Sequence, residues 1–274
     1  MIPAPFSYQR ASSVDQALAL AAAGGDDAKF LAGGHSLLPL MKLRLAVPDT
    51  LVDIGRLPEL SFIRDDGDQI AVGALTTHHD LATSGLVATE LPLLAHAAAA
   101  VGDPQIRHRG TIGGSLAHAD PAADLPAVVL AADAILVARS PGGSREIPAG
   151  EFFRGLFETA LRPGELLTEI RFGKAAGAGW SFQKFTKRAI DWAIVGVAVQ
   201  GGNVALVNMG QTPLRATAVE QALAAGAAPA EAAAHAAEGT SPVADINADG
   251  PYREHLARVL VARALSEARA RQAR

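Results

Sequence analysis

Thr111-Ile112-Gly113-Gly114-Ser115-Leu116-Ala117-His118-Ala119-Asp120-Pro121-Ala122-Ala123-Asp124-Leu125-Pro126 has a counterpart earlier in the chain, Ala32-Gly33-Gly34-His35-Ser36-Leu37-Leu38-Pro39-Leu40-Met41-Lys42-Leu43-Arg44-Leu45. In each stretch two adjacent glycines are followed within two residues by a serine. Glycine permits a positive φ and lets bare backbone approach a ligand. Successive N–H groups in such a turn can point into one concavity and form an anion nest. Ser36, Thr111 and Ser115 add hydroxyl donors suited to phosphate oxygens. A glycine pair can equally do no more than turn a chain, and this sequence holds 27 glycines.

Outward from these bends the chain reads as mixed strands and helices. Ser13-Val14-Asp15-Gln16 is a capping-box pattern. Val14, Ala17, Leu18 and Ala21 follow it on one face, and Gly24-Gly25 supplies the stop. Lys29 to Ala32 and Leu51 to Ile54 read as strands. Leu60 to Ile63 and Gln69 to Val72 flank an Asp-Gly turn, Arg64 to Asp68. Leu91 to Val101 is helical in pattern, the glycines at 113–114 read as a turn, and an alanine-rich helix is expected from Pro121 to Ala131. Ala134 to Ala138 and Leu166 to Phe172 read as strands. Lys174 to Gly179 is a small-residue joint. Beyond it come strand-like runs at Trp180–Phe185, Ala193–Gln200 and Asn203–Met209, the last two separated by Gly201-Gly202. A basic, periodic helix is expected from Pro251 to Arg271, with Leu256, Val259 and Leu260 as core. No fixed-period repeat is present.

The 274 residues suffice for one large domain or two ordinary ones. A 49% hydrophobic and 19% charged composition supports a packed core. The net charge of −4 carries no electrostatic footprint for nucleic acid or an anionic membrane. Without cysteine, the chain alone holds no disulfide, thiolate zinc site or iron–sulfur cluster and has no cysteine nucleophile. The opening residues MIPAPFSYQRASS lack the pattern of a signal peptide, and no apolar run is long enough to span a bilayer. A cytoplasmic protein is therefore expected.

Two anion nests suit the two phosphates of a dinucleotide. Neither bend is a G-x-G-x-x-G after a strand or a Walker A loop, so the residues alone lead only to pyrophosphate binding. The long contexts of the two bends, their order and their separation resemble the two FAD loops of the molybdenum hydroxylases' flavin subunit. That family includes aerobic carbon monoxide dehydrogenase and the xanthine dehydrogenases, and the resemblance covers essentially the whole chain. It implies an α+β fold: a vanillyl-alcohol-oxidase-like (PCMH-type) FAD-binding domain over 1–174, with lobes of about 1–56 and 57–174. A C-terminal flavoprotein domain of a small antiparallel sheet and helices follows over 177–274.

The resemblance also implies a division of labour. A large subunit carries the molybdenum cofactor, a small one carries two [2Fe–2S] clusters, and this chain is the FAD-binding medium subunit. Electrons would pass from the clusters through FAD to an external acceptor such as a quinone or NAD. By matching positions, Ala32, Gly33, Gly34, His35 and Ser36 with Thr111, Ile112, Gly113, Gly114 and Ser115 would hold the diphosphate and approach the flavin. Asp124 matches a position that contacts FAD, and Leu166 and Lys184 correspond to further contacts. Asp191-Trp192 resembles a segment where relatives carry Asp and then Tyr or another aromatic near the isoalloxazine. Trp192 can stack on or shield the ring, but it offers an N–H donor where a tyrosine offers a hydroxyl.

Other groups have plainer readings. Adjacent histidines on a helix point about 100° apart and rarely chelate together, so His78-His79-Asp80 reads as a helix start rather than a metal site. His118 and Asp120 would orient the second loop. A Ser–His–Asp hydrolase lacks its G-x-S-x-G elbow. Lys42, Arg44, Arg107, His108 and Arg109 could meet phosphates, face a partner or be solvated. Arg258, Arg263, Arg269, Arg271 and Arg274 are expected to form a solvated face and tail. Two alternatives stay open: a non-catalytic assembly protein retaining the fold, and a stand-alone FAD oxidoreductase of the same superfamily.

Overall fold

The computed structural model describes residues 2–272; Arg274 of the expected basic tail lies outside them. The chain opens with three parallel strands, Ser7–Arg10, Thr50–Asp53 and Ala28–Leu31, with Thr50–Asp53 in the middle. The Val14–Gly24 helix connects the two outer strands, and the Leu37–Lys42 helix lies on the crossover from Ala28–Leu31 to the central strand. Ser13 caps the first of these helices by accepting the Gln16 N–H at 3.1 Å, and Val14, Ala17, Leu18 and Ala21 are buried as their spacing predicts. The Gln16 side chain turns instead to Ser12, so only half of the expected box forms.

The next unit is an antiparallel five-stranded sheet in the order Ile63–Asp65, Gln69–Gly73, Leu166–Gly173, Ile135–Ser140, Gly143–Pro148. Ile70, Val72, Leu136, Ile170 and Phe172 pack with Leu93 and Leu94 of the Pro92–Ala99 helix and Val128 and Val129 of the Asp124–Ala131 helix.

A second antiparallel sheet follows in chain order: Trp180–Phe185, Val195–Gln200, Asn203–Val207, Leu214–Arg215. Gly201-Gly202 makes the hairpin, with Gly201 at φ +60° as a tight turn of this kind requires. The sheet is buried on both faces. Val195, Val197 and Val199 meet Leu256, Leu260 and Val261 of the Gly250–Gln272 helix, while Ala198 and Ala205 join the core of the preceding sheet.

Several expectations are corrected. Gly113-Gly114 is no turn but lies in the first turn of a helix, Ile112–His118, and the following helix begins at Asp124 rather than Pro121. Leu60 belongs to a 3-10 turn, and the strand starts at Ile63. Val259 is only half-buried. Arg271 is not solvated: its guanidinium lies 3.6 Å over the Trp180 ring and pairs with Glu267 at 2.6 Å. The strand Ser7–Arg10 was not expected because all four of its residues are exposed, leaving no alternation to read.

Candidate functional site

The first glycine bend leaves the Ala28–Leu31 strand and enters the short Leu37–Lys42 helix. Gly34 sits at φ +79°, where an L side chain is strained. Gly33 is needed for space: a Cβ there would stand 2.0 Å from the carbonyl oxygen of Arg109. Among the described residues, the backbone N–H groups of Gly33, Gly34, His35 and Ser36 have no acceptor within the protein. The Ser36 hydroxyl does not cap the helix it precedes. His35 reaches across through Nε2 to the Gln105 carbonyl at 3.3 Å. The bend therefore offers four successive donors, as a nest does.

The second bend is built differently. Thr111 pairs with Thr77 in an isolated antiparallel bridge, and its hydroxyl accepts the Gly114 N–H at 3.1 Å as a helix cap. The Ile112 N–H is bound by the Thr76 carbonyl, that of Gly113 by Ala74, and that of Ser115 by Thr111. No second open nest exists here, which corrects the expectation of two. Gly113 is a spacer instead, since a Cβ would lie 2.5 Å from that of Ala74. Ile112 is core, while Gly114 and Ser115 are half-buried.

The two bends meet. Ala32 and Gly33 share a small cleft with Thr77, His108, Arg109 and Thr111, of about 50 Å³, which can take only part of a dinucleotide. Gly55 and Leu75 complete its lining, and sequence reasoning missed both. His108 stacks on His79 at 3.9 Å and holds the Pro104 carbonyl through Nδ1. Arg107 is committed to the carbonyls of Val101 and Gly102, both at 2.9 Å. That leaves His108 and Arg109 as the basic groups of the cleft. Behind them His78 is buried with Nδ1 unpartnered, and burial pushes its pKa down to about 4, so the ring is neutral near pH 7.

Two of the remaining predicted residues, Asp124 and Lys184, come together. Asp124 opens its helix and accepts the Lys184 ammonium at 2.7 Å, and the same ammonium donates to the Ala100 carbonyl. Burial outweighs the Lys184 charge and pushes the Asp124 carboxyl up to about 6. Its second oxygen, Oδ1, is buried without a partner. Trp192 lies beyond Lys184 on the loop joining the first two strands of the second sheet and is 60% exposed, with Asp191 tied to Arg188. Leu166 is not gathered with these side chains; it is buried in the core of the first lobe with Leu75.

The residues fit a dinucleotide that carries both a charged diphosphate and a hydrogen-bonding ring system. The Gly33–Ser36 donors and the close approach at Gly33 suit the former. The orphaned Asp124 oxygen and the exposed Trp192 suit the latter.

Comparison with known proteins gives the same direction. Residues 4–174 match the family described as "FAD binding domain in molybdopterin dehydrogenase", and residues 180–268 match "CO dehydrogenase flavoprotein C-terminal domain". The chain is 43% identical to the carbon monoxide dehydrogenase medium chain of Hydrogenophaga pseudoflava, over 99% of both chains. It is also 43% identical to the alpha subunit of the 6-hydroxypseudooxynicotine dehydrogenase complex of Paenarthrobacter nicotinovorans, over 98% of this chain and 96% of that one. Among solved structures, carbon monoxide dehydrogenase from Hydrogenophaga pseudoflava superposes with a TM-score of 0.94 at 44% identity, covering 99% of each chain. Quinoline 2-oxidoreductase from Pseudomonas putida 86 superposes with a TM-score of 0.91 at 32% identity, covering 99% of this chain and all of that one.

Proposed function

Because this chain belongs to the FAD-binding medium-subunit family of the molybdenum hydroxylases, we propose that it relays electrons from [2Fe–2S] clusters of a small partner subunit to an external acceptor, a quinone or NAD. It is an oxidoreductase subunit whose cofactor is FAD. Bound FAD supplies the exchange between one-electron and two-electron carriers that such a relay requires. A large subunit carrying the molybdenum cofactor would perform the chemistry on the organic substrate, so no side chain here need act as a general acid or base on it.

The observation that carries this reading is the run of four unpaired N–H donors at Gly33–Ser36, closed against the Arg109–Thr111 segment by a glycine that admits no side chain. Ala32 to Ser36 would hold the diphosphate, with Thr111 fixing the opposite wall and Arg109 supplying positive charge. Ile112, Gly113, Gly114 and Ser115 would set the distance of that wall through their committed backbone. Asp124, oriented by Lys184, would accept a hydrogen bond from the ring or ribityl chain; Trp192 would cover a face of the ring, and Leu166 would contribute backbone. The cofactor unit is read as 1–174 and the C-terminal unit as 177–274.

The full chain expressed with FAD should be yellow, with one flavin per chain. A colourless protein without measurable FAD affinity overturns the cofactor assignment of these residues. In the assembled complex, a chemically reduced small subunit should bleach the flavin under anaerobic conditions. A flavin that stays oxidised beside reduced clusters rules out the relay.

A further inference from the structure

Asn208, which follows the Asn203–Val207 strand, is joined at once to the segment leading into Asp124 and to the segment leaving Trp192. Its backbone N–H donates to the Pro121 carbonyl at 2.8 Å. Its side-chain amide donates to the Ala193 carbonyl at 2.9 Å and the Ile194 carbonyl at 3.3 Å. Pro121 is three residues before Asp124, and Ala193 directly follows Trp192. The residue adopts φ +61°, a left-handed conformation that Asn tolerates better than most residues, and this lets its N–H and side chain serve separate partners. Arg253, only 1% exposed, adds a second hold by donating to the Ile194 carbonyl while pairing with Asp245 at 2.7 Å. The Ile194 N–H closes the base of the loop on the Phe185 carbonyl at 2.8 Å, one residue past Lys184. Between these anchors the segment from Lys187 to Trp192 is largely exposed; among the described residues it is held by the Arg188–Asp191 ion pair and by the Asp191 N–H on the Arg188 carbonyl at 3.0 Å.

We propose that Asn208 is a positioning residue that fixes the Trp192 loop in register with the Pro121–Asp124 corner. Its backbone holds the segment leading into Asp124 and its amide holds the segment leaving Trp192. The proposal rests on the reading that Asp124 and Trp192 face the flavin, but the anchoring itself does not depend on bound cofactor. Asn208→Gly keeps the left-handed backbone and the bond to Pro121 while removing the amide. Asn208→Asp keeps the size and the tolerance for positive φ but cannot donate.

Two measurements on the full chain separate the anchoring from the flavin reading. In the cofactor-free chain, trypsin should cleave after the exposed Lys187 or Arg188 faster the more the loop departs from its anchored conformation. Each variant should raise that rate by about fivefold to thirtyfold, the scale of losing one or two amide–carbonyl bonds. In the FAD-loaded chain, Trp192→Phe should raise flavin fluorescence by removing a quenching indole, and both Asn208 variants should move it toward the Trp192→Phe level. Parental cleavage rates in both Asn208 variants overturn the anchoring. Faster cleavage with flavin emission unmoved by the Asn208 variants, while Trp192→Phe does raise it, overturns the registering role. Emission unmoved by Trp192→Phe itself overturns instead the reading that Trp192 faces the flavin. If Asn208→Gly does not fold, Asn208→Asp answers the same questions.

Discussion

Gly33 lies so close to the main chain of Arg109 that a Cβ built on it would stand 2.0 Å from the Arg109 carbonyl oxygen. This contact draws the first bend against the strand of backbone leading into the second. Gly33→Ala should therefore wedge the two apart. Because the obstacle is backbone rather than a flexible side chain, the cost falls at about 1–3 kcal/mol of stability, with at least about a tenfold loss of FAD affinity. Gly150→Ala, with nothing within 4 Å of its added Cβ, is the matched control and should be neutral. Denaturant unfolding and FAD titration of the two variants check this, and equal behaviour would remove the packing argument.

Ser36 and Thr111 look alike in the sequence but should respond differently. The Thr111 hydroxyl caps a helix, so Thr111→Ala should lower stability by about 1 kcal/mol even without cofactor. Ser36 makes no cap bond, so Ser36→Ala should leave the apo-protein's stability within about 0.5 kcal/mol of the parent. It should weaken FAD binding by about fivefold if its hydroxyl meets a phosphate. A Ser36→Ala protein that binds FAD as the parent does would take the hydroxyl out of the site.

These contrasts show what the residues disclosed and what they withheld. The glycine bends were legible because two long stretches share a residue pattern, although only the first forms a nest, and the Val14–Gly24 helix because its cap and apolar spacing agree. The reason for each glycine was not legible: Gly33 and Gly113 are set by contacts with Arg109 and Ala74, far apart in the chain from their partners or on another element. The same limit hid the ion pair of Asp124 and Lys184 as a pair. Sixty positions separate them, and only the docking of the second sheet brings them together. Asn208 and Arg253 carry no motif at all; their roles come from carbonyls exposed at the base of a loop. Gly55 and Leu75 line the cleft through backbone and packing, neither of which leaves a mark in residue type.

Asp124→Asn should change how stability depends on pH. The folded carboxyl titrates at about 6 and the unfolded one at 3.8, so the folded state is the one that keeps its proton between them. That contribution is complete below pH 3.8 and is lost as pH rises through 6, amounting to about 3 kcal/mol. Relative to Asp124→Asn, the parent should therefore lose stability from pH 4 to pH 6. Parallel curves would show that Lys184 offsets the burial of the carboxylate more fully than the geometry implies.

His78 contributes with the opposite sign over an overlapping range. Its ring titrates at 6.5 when unfolded and at about 4 when folded, so the unfolded state binds the proton first as the solution is acidified. Its contribution is complete above pH 6.5 and is lost as pH falls through 4, again by about 3 kcal/mol. Between pH 4 and pH 6 the two contributions largely cancel, so the parent's stability should stay nearly parallel to that of the double variant while each single variant diverges from it. His78→Leu should remove the acid-side loss and leave a protein that, over that range, gains stability relative to the parent as pH falls. Combining it with Asp124→Asn should restore the parent's shape, because the two titrations are independent if the sites do not share a proton. Unfolding free energies of the four proteins at pH 4.5, 5.5 and 7 decide the matter. A His78→Leu curve parallel to the parent's would mean that the buried imidazole finds a partner for its Nδ1 in solution.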